Sequence, residues 1–92
     1  MKISASNQVV AWLTALPPQT KKRVRAALRA LAKGKGDIKG LQGDLEGLSR
    51  LRIGGIRILQ RQVAARETRL EYANTRDVVY EMFRQLLADH SE

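Results

Sequence analysis

One stretch of the sequence, residues 50–61, alternates apolar and polar side chains on either side of a Gly-Gly pair. Two alternating runs joined by Gly54 and Gly55 predict a β-hairpin with a two-residue turn. The turn fixes the register, because residues two apart along a strand point to the same face of the sheet. One face of the predicted hairpin then carries the apolar residues Leu51, Ile53, Ile56 and Ile58.

The other face of the predicted hairpin is basic. It carries Arg50, Arg52, Arg57 and Arg61, with Leu48 and Leu59 between them. The register sets Arg52 opposite Arg57, and like charges paired across strands destabilise a sheet by about 0.2–1 kcal/mol. A hairpin built in this way is suited to bind an anion on that face, which we interpret as RNA phosphate. The alternative is a solvated face on which some arginines pair with Asp44, Glu46 or Glu71.

Length and residue content restrict the possible chemistry. The chain has 92 residues, which suits one domain spanning residues 1–92, with a modest core and no cofactor-sized cavity. It contains no cysteine and a single histidine, His90. These counts leave no disulfide, thiolate nucleophile, hydrolytic triad or metal site of the Cys or His type. We therefore expect no cofactor and no metal.

The charge of the chain indicates its partners. Seventeen Lys and Arg against nine Asp and Glu give a net charge of +8, which is typical of proteins that bind polyanions. We rank nucleic acid first, an acidic protein second and a membrane surface third. The chain has no apolar run long enough to span a membrane and no lipidation signal. Its first residues lack the apolar centre of a secretory signal, so we expect a cytoplasmic protein.

The residues before the hairpin predict a strand and two helices. The strand covers residues 2–6, and Ser6 or Asn7 can cap a first helix that ends before Pro17-Pro18. A second helix should cover residues 19–33, with basic residues on its exposed faces. We expect the two helices to cover the apolar face of the β-hairpin. The basic residues of the second helix form either a secondary phosphate contact or a solvated face.

The remaining segments complete the predicted fold. The stretch from Gly34 to Gly47 contains five glycines and is predicted to be a connecting loop, without the ending of a nucleotide-binding loop. Residues 63–67 should turn the chain, residues 68–73 should form a further strand, and residues 74–77 should lead into a last helix. The predicted class is α+β: an N-terminal strand and a helical hairpin pack on one face of a small antiparallel sheet, with a C-terminal helix. We expect the arginine face to stay open.

Two runs of residues resemble motifs of a known family. The run Leu48–Ile58, LSRLRIGGIRI, is similar to the RLRVGxYRVIY core of the RelE/ParE superfamily of bacterial type II toxins. The run Arg76–Glu81, RDVVYE, resembles the RRxxVYE ending of the RelE-like branch. The Leu16-Pro17 joint and the approach Lys39–Gly43 also fit the pattern. The resemblance covers nearly the whole chain.

The resemblance implies a function and a set of residues. The function is that of a ribosome-dependent endoribonuclease, which cleaves messenger RNA in the decoding site and is neutralised by a cognate antitoxin in a hetero-oligomer. By motif position, the implied residues are Arg50, Arg52, Arg57, Arg76 and Tyr80. Two positions depart from the pattern, since Thr75 replaces the first arginine of the ending and Ile56 replaces an aromatic residue.

We formulate the chemistry as a hypothesis in which the ribose 2′-OH attacks the adjacent phosphate while the protein orients the strand and stabilises charge. Arg57 and Arg76 would hold the scissile phosphate, because a guanidinium group binds phosphate bidentately and stays protonated. Tyr80 would stack on a base or assist proton transfer, unless it is only a half-buried helix residue. The residues expected to bind neighbouring phosphates are Arg50, Arg52 and Arg61.

The sequence leaves three alternative functions. One is a ParE-like toxin that inhibits DNA gyrase without cleaving RNA. Another is a catalytically inactive RNA-binding module of the same fold, for which Thr75 is an argument. In the third, the basic face serves only to bind an acidic segment of the antitoxin. The strand arginines together with Arg76 and Tyr80 favour the RelE-like branch.

Overall fold

The computed structural model describes residues 1–76 and 78–90, which form a five-stranded sheet, three α-helices and one short 3-10 helix. The strands are β1 (Lys2–Ala5), β2 (Asp37–Gly40), β3 (Ser49–Ile53), β4 (Ile56–Ala64) and β5 (Glu67–Thr75). The helices are α1 (Asn7–Thr14), α2 (Pro18–Ala32) and α3 (Val78–His90), and the 3-10 helix covers Gly43–Leu45. The strand order is β1-β5-β4-β3-β2. The predicted α+β class is therefore confirmed.

The predicted hairpin is confirmed in its register. Ile53 lies opposite Ile56 and Arg52 lies opposite Arg57, so the turn consists of Gly54 and Gly55. Gly54 has a φ of +58°, in the left-handed region that glycine adopts without the steric cost of a Cβ atom. The following turn is shorter than predicted, because β4 continues to Ala64 and β5 begins at Glu67.

The helical hairpin covers the apolar face of the sheet, as predicted. Ser6 caps α1 by accepting a hydrogen bond from the backbone N–H of Val9 at 3.3 Å, and Pro18 begins α2. Val9 and Val24 of these helices are buried against the sheet. The buried residues of this first core are Val9, Val24, Leu31, Leu51, Ile53, Ile56, Ile58, Leu70 and Ala73.

The sheet is mixed, whereas the sequence predicted an antiparallel one. The strand β1 runs parallel to β5, with the N–H of Ser6 donating to the carbonyl of Leu70 at 2.9 Å. The other three neighbouring pairs of strands are antiparallel. A strand of four residues shows which side chains are apolar but not which distant edge it joins, so its direction could not be read from the pattern.

The prediction of a loop from Gly34 to Gly47 is wrong for residues 37–40. These residues form the edge strand β2, which pairs with β3 and sets Asp37 opposite Arg52. All four residues of β2 are exposed. The segment therefore has no buried face, and it is a buried face that produces the alternation of apolar and polar residues by which a strand is predicted. It forms because the outer edge of β3 would otherwise present unpaired backbone groups.

The expectation that the arginine face stays open is wrong over part of that face. The helix α3 packs there and builds a second core that consists of Leu45, Leu48, Leu59, Tyr72, Val79 and Phe83. The rings of Tyr72 and Phe83 lie 5.9 Å apart between centroids. The sequence predicts that residues 88–92 fray, but α3 continues to His90. The sequence also predicts Asp77 at the positive end of this helix and His90 as a surface residue without a role. Asp77, the side chain of His90 and residues 91–92 lie outside the described residues.

Candidate nucleic-acid interface

Two rows of residues cross the arginine face near the Gly54–Gly55 turn. The row nearest the turn runs from β2 to β5 and consists of Asp37, Arg52, Arg57 and Asn74. The next row consists of Lys39, Arg50, Leu59 and Tyr72. Since Leu59 and Tyr72 belong to the second core, α3 covers the second row at those positions. The first row is therefore the candidate site. The second row lies next to it and is partly covered by α3.

Asp37 binds two of the predicted phosphate-binding arginines. Its carboxylate accepts from Arg52 Nε at 2.6 Å and from Arg50 Nη2 at 3.4 Å. The side chain of Arg50 is only 12% exposed, whereas that of Arg52 is 50% exposed. The Nε atom of Arg50 is buried without a hydrogen-bond partner. Arg52 thus stays accessible to an anion, while Arg50 mainly holds Asp37.

Arg57 differs from these two arginines in its partners. Among the described residues, no carboxylate forms an ion pair with Arg57. Its Nη1 atom donates hydrogen bonds to the backbone carbonyls of Gly54 at 2.7 Å and Ile56 at 3.2 Å. The side chain therefore curls toward the turn, and its positive charge is not neutralised there.

Arg76 reaches the same turn from the end of β5. Its backbone N–H donates to the carbonyl of Gly55 at 2.6 Å. Its φ is +47°, which makes it the non-glycine residue with a left-handed backbone in the described chain, at a cost of about 1–2 kcal/mol. Backbone strain of this kind concentrates at functional sites. The exposed Arg76 and the partly exposed Arg57 thus meet at one turn, although they are 19 positions apart in the sequence.

Tyr80 lies on the same side of the sheet. It belongs to the first turns of α3 and is partly buried against the second core. Its hydroxyl makes no hydrogen bond with any residue in the described ranges. Tyr80 is therefore a half-buried helix residue, as one interpretation expected, but its hydroxyl is not used to hold the fold together.

Arg61 lies away from this group. It sits four residues beyond Arg57 along β4, or about 13 Å at the usual rise of a strand. It pairs with Arg69 of β5 next to a β-bulge, and the Glu71 carboxylate lies 3.8 Å from the Nε atoms of both arginines. The ion pair with Glu71 is the one that the solvated-face interpretation anticipated. The structure thus brings together Arg52, Arg57 and Arg76, but not Arg61.

Two polar residues of the first row were not identified from the sequence as part of the site. The sequence predicts a loop at Asp37, and it predicts that Asn74 or Thr75 caps the last helix. Asn74 instead lies in β5 opposite Arg57, and its Oδ1 atom accepts from the N–H of Thr75 at 2.8 Å. The sequence predicted Leu70 and Tyr72 on one face of this strand, which is wrong, because a β-bulge at this point places Leu70 in the first core and Tyr72 in the second. The alternation along β5 therefore did not reveal the face of Asn74. The sequence contains no signal for Asp37 either.

No group of three or more His, Cys, Asp and Glu side chains in the described part of the chain is placed to hold a metal ion. No helix within this part combines the length and the apolar character needed to cross a membrane.

Comparisons with known proteins identify the fold. No protein-family model matches the sequence, and no curated protein matches it at a significant level. Solved structures do match. The RelB-RelE antitoxin-toxin complex from Methanococcus jannaschii aligns with a TM-score of 0.67 at 21% identity, covering 87% of this chain and 98% of that chain.

Two further solved structures agree. A toxin-antitoxin complex from Mycobacterium tuberculosis aligns with a TM-score of 0.60 at 21% identity, over 82% of this chain and 96% of that chain. The YoeB-YefM complex from Staphylococcus aureus aligns with a TM-score of 0.63 at 17% identity, over 80% and 94% of the two chains. The fold is therefore that of the RelE-like toxins. In this chain, one face of the sheet carries an arginine-rich hairpin tip.

Proposed function

We propose that this protein is the toxin of a type II toxin-antitoxin system and acts as a ribosome-dependent endoribonuclease of the RelE-like branch. One observation carries the proposal. On a sheet with the RelE-like fold, Arg57 has no carboxylate partner among the described residues and lies at the turn to which Arg76 is hydrogen-bonded. A concentrated positive charge of this kind is suited to bind a phosphate group and to stabilise the charge that develops on it.

The proposed reaction is cleavage of messenger RNA by its own ribose. The 2′-oxygen forms a bond to the adjacent phosphorus as its proton leaves, and the bond from phosphorus to the 5′-oxygen breaks as that oxygen gains a proton. Arg57 and Arg76 hold the scissile phosphate and stabilise the charge on its oxygens in the transition state. Their contribution is positioning and electrostatic stabilisation, since guanidinium groups stay protonated and do not transfer protons at neutral pH.

The other site residues have graded roles in this proposal. Arg52 binds a neighbouring phosphate, and for this its guanidinium group must exchange Asp37 for the RNA. Arg50 contributes mainly by holding Asp37, and Arg61 would contact a more distant part of the strand. Tyr80 stacks on a base or assists proton transfer with its free hydroxyl.

The proposed partners follow from the same fold. The matched chains from Methanococcus jannaschii and Mycobacterium tuberculosis were solved in complexes of a toxin with an antitoxin. We propose that this chain likewise forms a hetero-oligomer with a cognate antitoxin, an acidic segment of which competes with RNA for the arginines. Messenger RNA on the ribosome is the proposed substrate, and the proposed compartment is the cytoplasm.

The test is to induce the protein in a bacterium without its antitoxin and to map messenger 5′ ends by primer extension. We expect new ends inside reading frames, and we expect them to disappear when translation initiation is inhibited. Growth arrest with intact messages would instead indicate a ParE-like inhibitor of DNA gyrase. Absence of both arrest and cleavage would indicate an inactive RNA-binding module.

A further inference from the structure

We propose that the RNA-binding surface continues around the tip of the β3–β4 hairpin onto α2, where Arg23 binds a further phosphate of the same strand. The inference rests on the proposed RNA-binding function. It adds a residue from the opposite side of the sheet, outside the two motifs that resemble the family.

Arg23 lies at the hairpin turn. Its Nη2 atom lies 3.0 Å, and its Cζ atom 3.5 Å, from the point that a Cβ atom on Gly54 would occupy. The guanidinium group of Arg23 therefore lies directly against the backbone of Gly54. It fits there because residue 54 has no side chain.

Gly54 also contacts Arg57. Arg57 Nη1 donates to the Gly54 carbonyl at 2.7 Å from the arginine face, while Arg23 reaches Gly54 from α2, which packs on the apolar face. Two guanidinium groups thus flank one turn from opposite sides. Because both groups contact one residue, they are close enough to bind neighbouring phosphates of an extended strand.

The surroundings of Arg23 on α2 are positively charged. Helix α2 contains five Lys and Arg residues and no Asp or Glu. In the described part of the chain, no carboxylate pairs with Arg23 or with Arg57. Like charges that are not compensated repel each other, and an anion at the turn relieves this repulsion. A phosphate group is such an anion, and a strand that lies across Arg57 presents its next phosphate to the tip.

The test measures binding of the purified full chain to a single-stranded RNA of about ten nucleotides, by fluorescence anisotropy at several salt concentrations. We expect Arg23→Gln to weaken binding about three- to tenfold and to reduce the slope of log K against log salt by about 0.7. Arg23→Lys should restore most of the affinity, because it keeps the charge. The matched control is Arg25→Gln, which removes one exposed charge from the same helix, two residues from Arg23 and on a different face of the helix.

The outcomes separate this inference from the proposed function. If Arg23→Gln and Arg25→Gln have equal effects, Arg23 contributes only to the general charge of the protein and the inference is wrong. If Arg23→Lys binds as weakly as Arg23→Gln, the role of Arg23 is to pack against the turn and the inference is again wrong. If the wild-type chain does not bind this RNA, or if Arg57→Ala has no effect on binding, the RNA-binding surface on which the inference rests is absent and the inference is wrong, whereas the proposed function is tested separately by cleavage of messages on the ribosome.

Discussion

Replacing Arg57 by alanine should abolish cleavage and leave the fold almost unchanged. The stability change has two opposing parts. The substitution removes hydrogen bonds from Arg57 to the carbonyls of Gly54 and Ile56, which are worth about 0.5–1.5 kcal/mol each at most in such a position. It also removes the pairing of Arg57 with Arg52, which relieves about 0.2–1 kcal/mol of repulsion. We therefore expect a net loss of about 1 kcal/mol, or a decrease of about 4–8 °C in the Tm of a domain of this size.

The expected loss of activity is larger than this loss of stability can explain. Removing one group that stabilises transition-state charge typically lowers the rate about 10²- to 10³-fold, which corresponds to about 2.7–4 kcal/mol. A domain with about 5 kcal/mol of stability that loses about 1 kcal/mol remains almost entirely folded. A hundredfold decrease in the cleavage rate would thus report on the reaction and not on unfolding.

The assay is the initial rate of cleavage of a defined messenger on purified bacterial ribosomes, accompanied by thermal unfolding of the same samples. Arg66→Ala is the matched control, because Arg66 is an exposed arginine at the turn between β4 and β5, at the other end of the hairpin strand. We expect this control to cleave at nearly the wild-type rate. If Arg57→Ala cleaves within about tenfold of the wild type, the proposed role of Arg57 in the transition state is wrong.

Three further substitutions test other parts of the argument. Asp37→Asn should tighten RNA binding at low salt, since it frees Arg52, and should destabilise the protein by about 1–3 kcal/mol because the buried side chain of Arg50 loses its carboxylate partner; anisotropy and urea unfolding measure the two effects. Leu59→Ala should destabilise the protein by about 2–5 kcal/mol in urea unfolding, since Leu59 is fully buried in the second core. Ser6→Ala should cost about 0.5–2 kcal/mol in the same assay through loss of the α1 cap, and an unchanged urea midpoint would contradict this assignment.

The parts of the fold that depend on local sequence were predictable. The Gly-Gly pair and the alternation around it determine the hairpin register, and the Pro17-Pro18 pair determines where α1 ends and α2 begins. The apolar residues of the hairpin and of the two helices repeat with the period of their own elements, so the first core followed from the pattern. Each of these features is encoded within about 15 neighbouring residues.

The parts that depend on distant pairing were not predictable. The direction of β1 is set by its partner β5, which lies more than 60 residues away. The strand β2 has only exposed residues, and it exists because β3 offers an unpaired edge. The face that α3 covers depends on the meeting of Val79 and Phe83 with Leu59 and Tyr72, which no periodicity within α3 reveals.

The same division applies to the candidate site. Arg57 and Arg76 could be singled out because each stands in a short motif, and Arg52 followed from the register of the hairpin. Asp37 was missed as a partner because it comes from the unpredicted strand β2. Arg23 was missed because its contact with Gly54 joins a helix to the far side of the turn.

The distribution of carboxylates explains why the tip, and not the arginine face as a whole, is the site. With 17 basic and nine acidic residues, the chain cannot pair every cation. The ion pairs of the described residues lie elsewhere: Asp37 binds along β3, Glu71 at the β-bulge, and Asp44 binds Arg84 of α3. Arg23, Arg57 and Arg76, which lie at the Gly54–Gly55 turn, have no such partner among these residues. An anion that binds there contacts β4, the end of β5 and α2 together. Its binding free energy is therefore more favourable than that of an anion bound at any single strand.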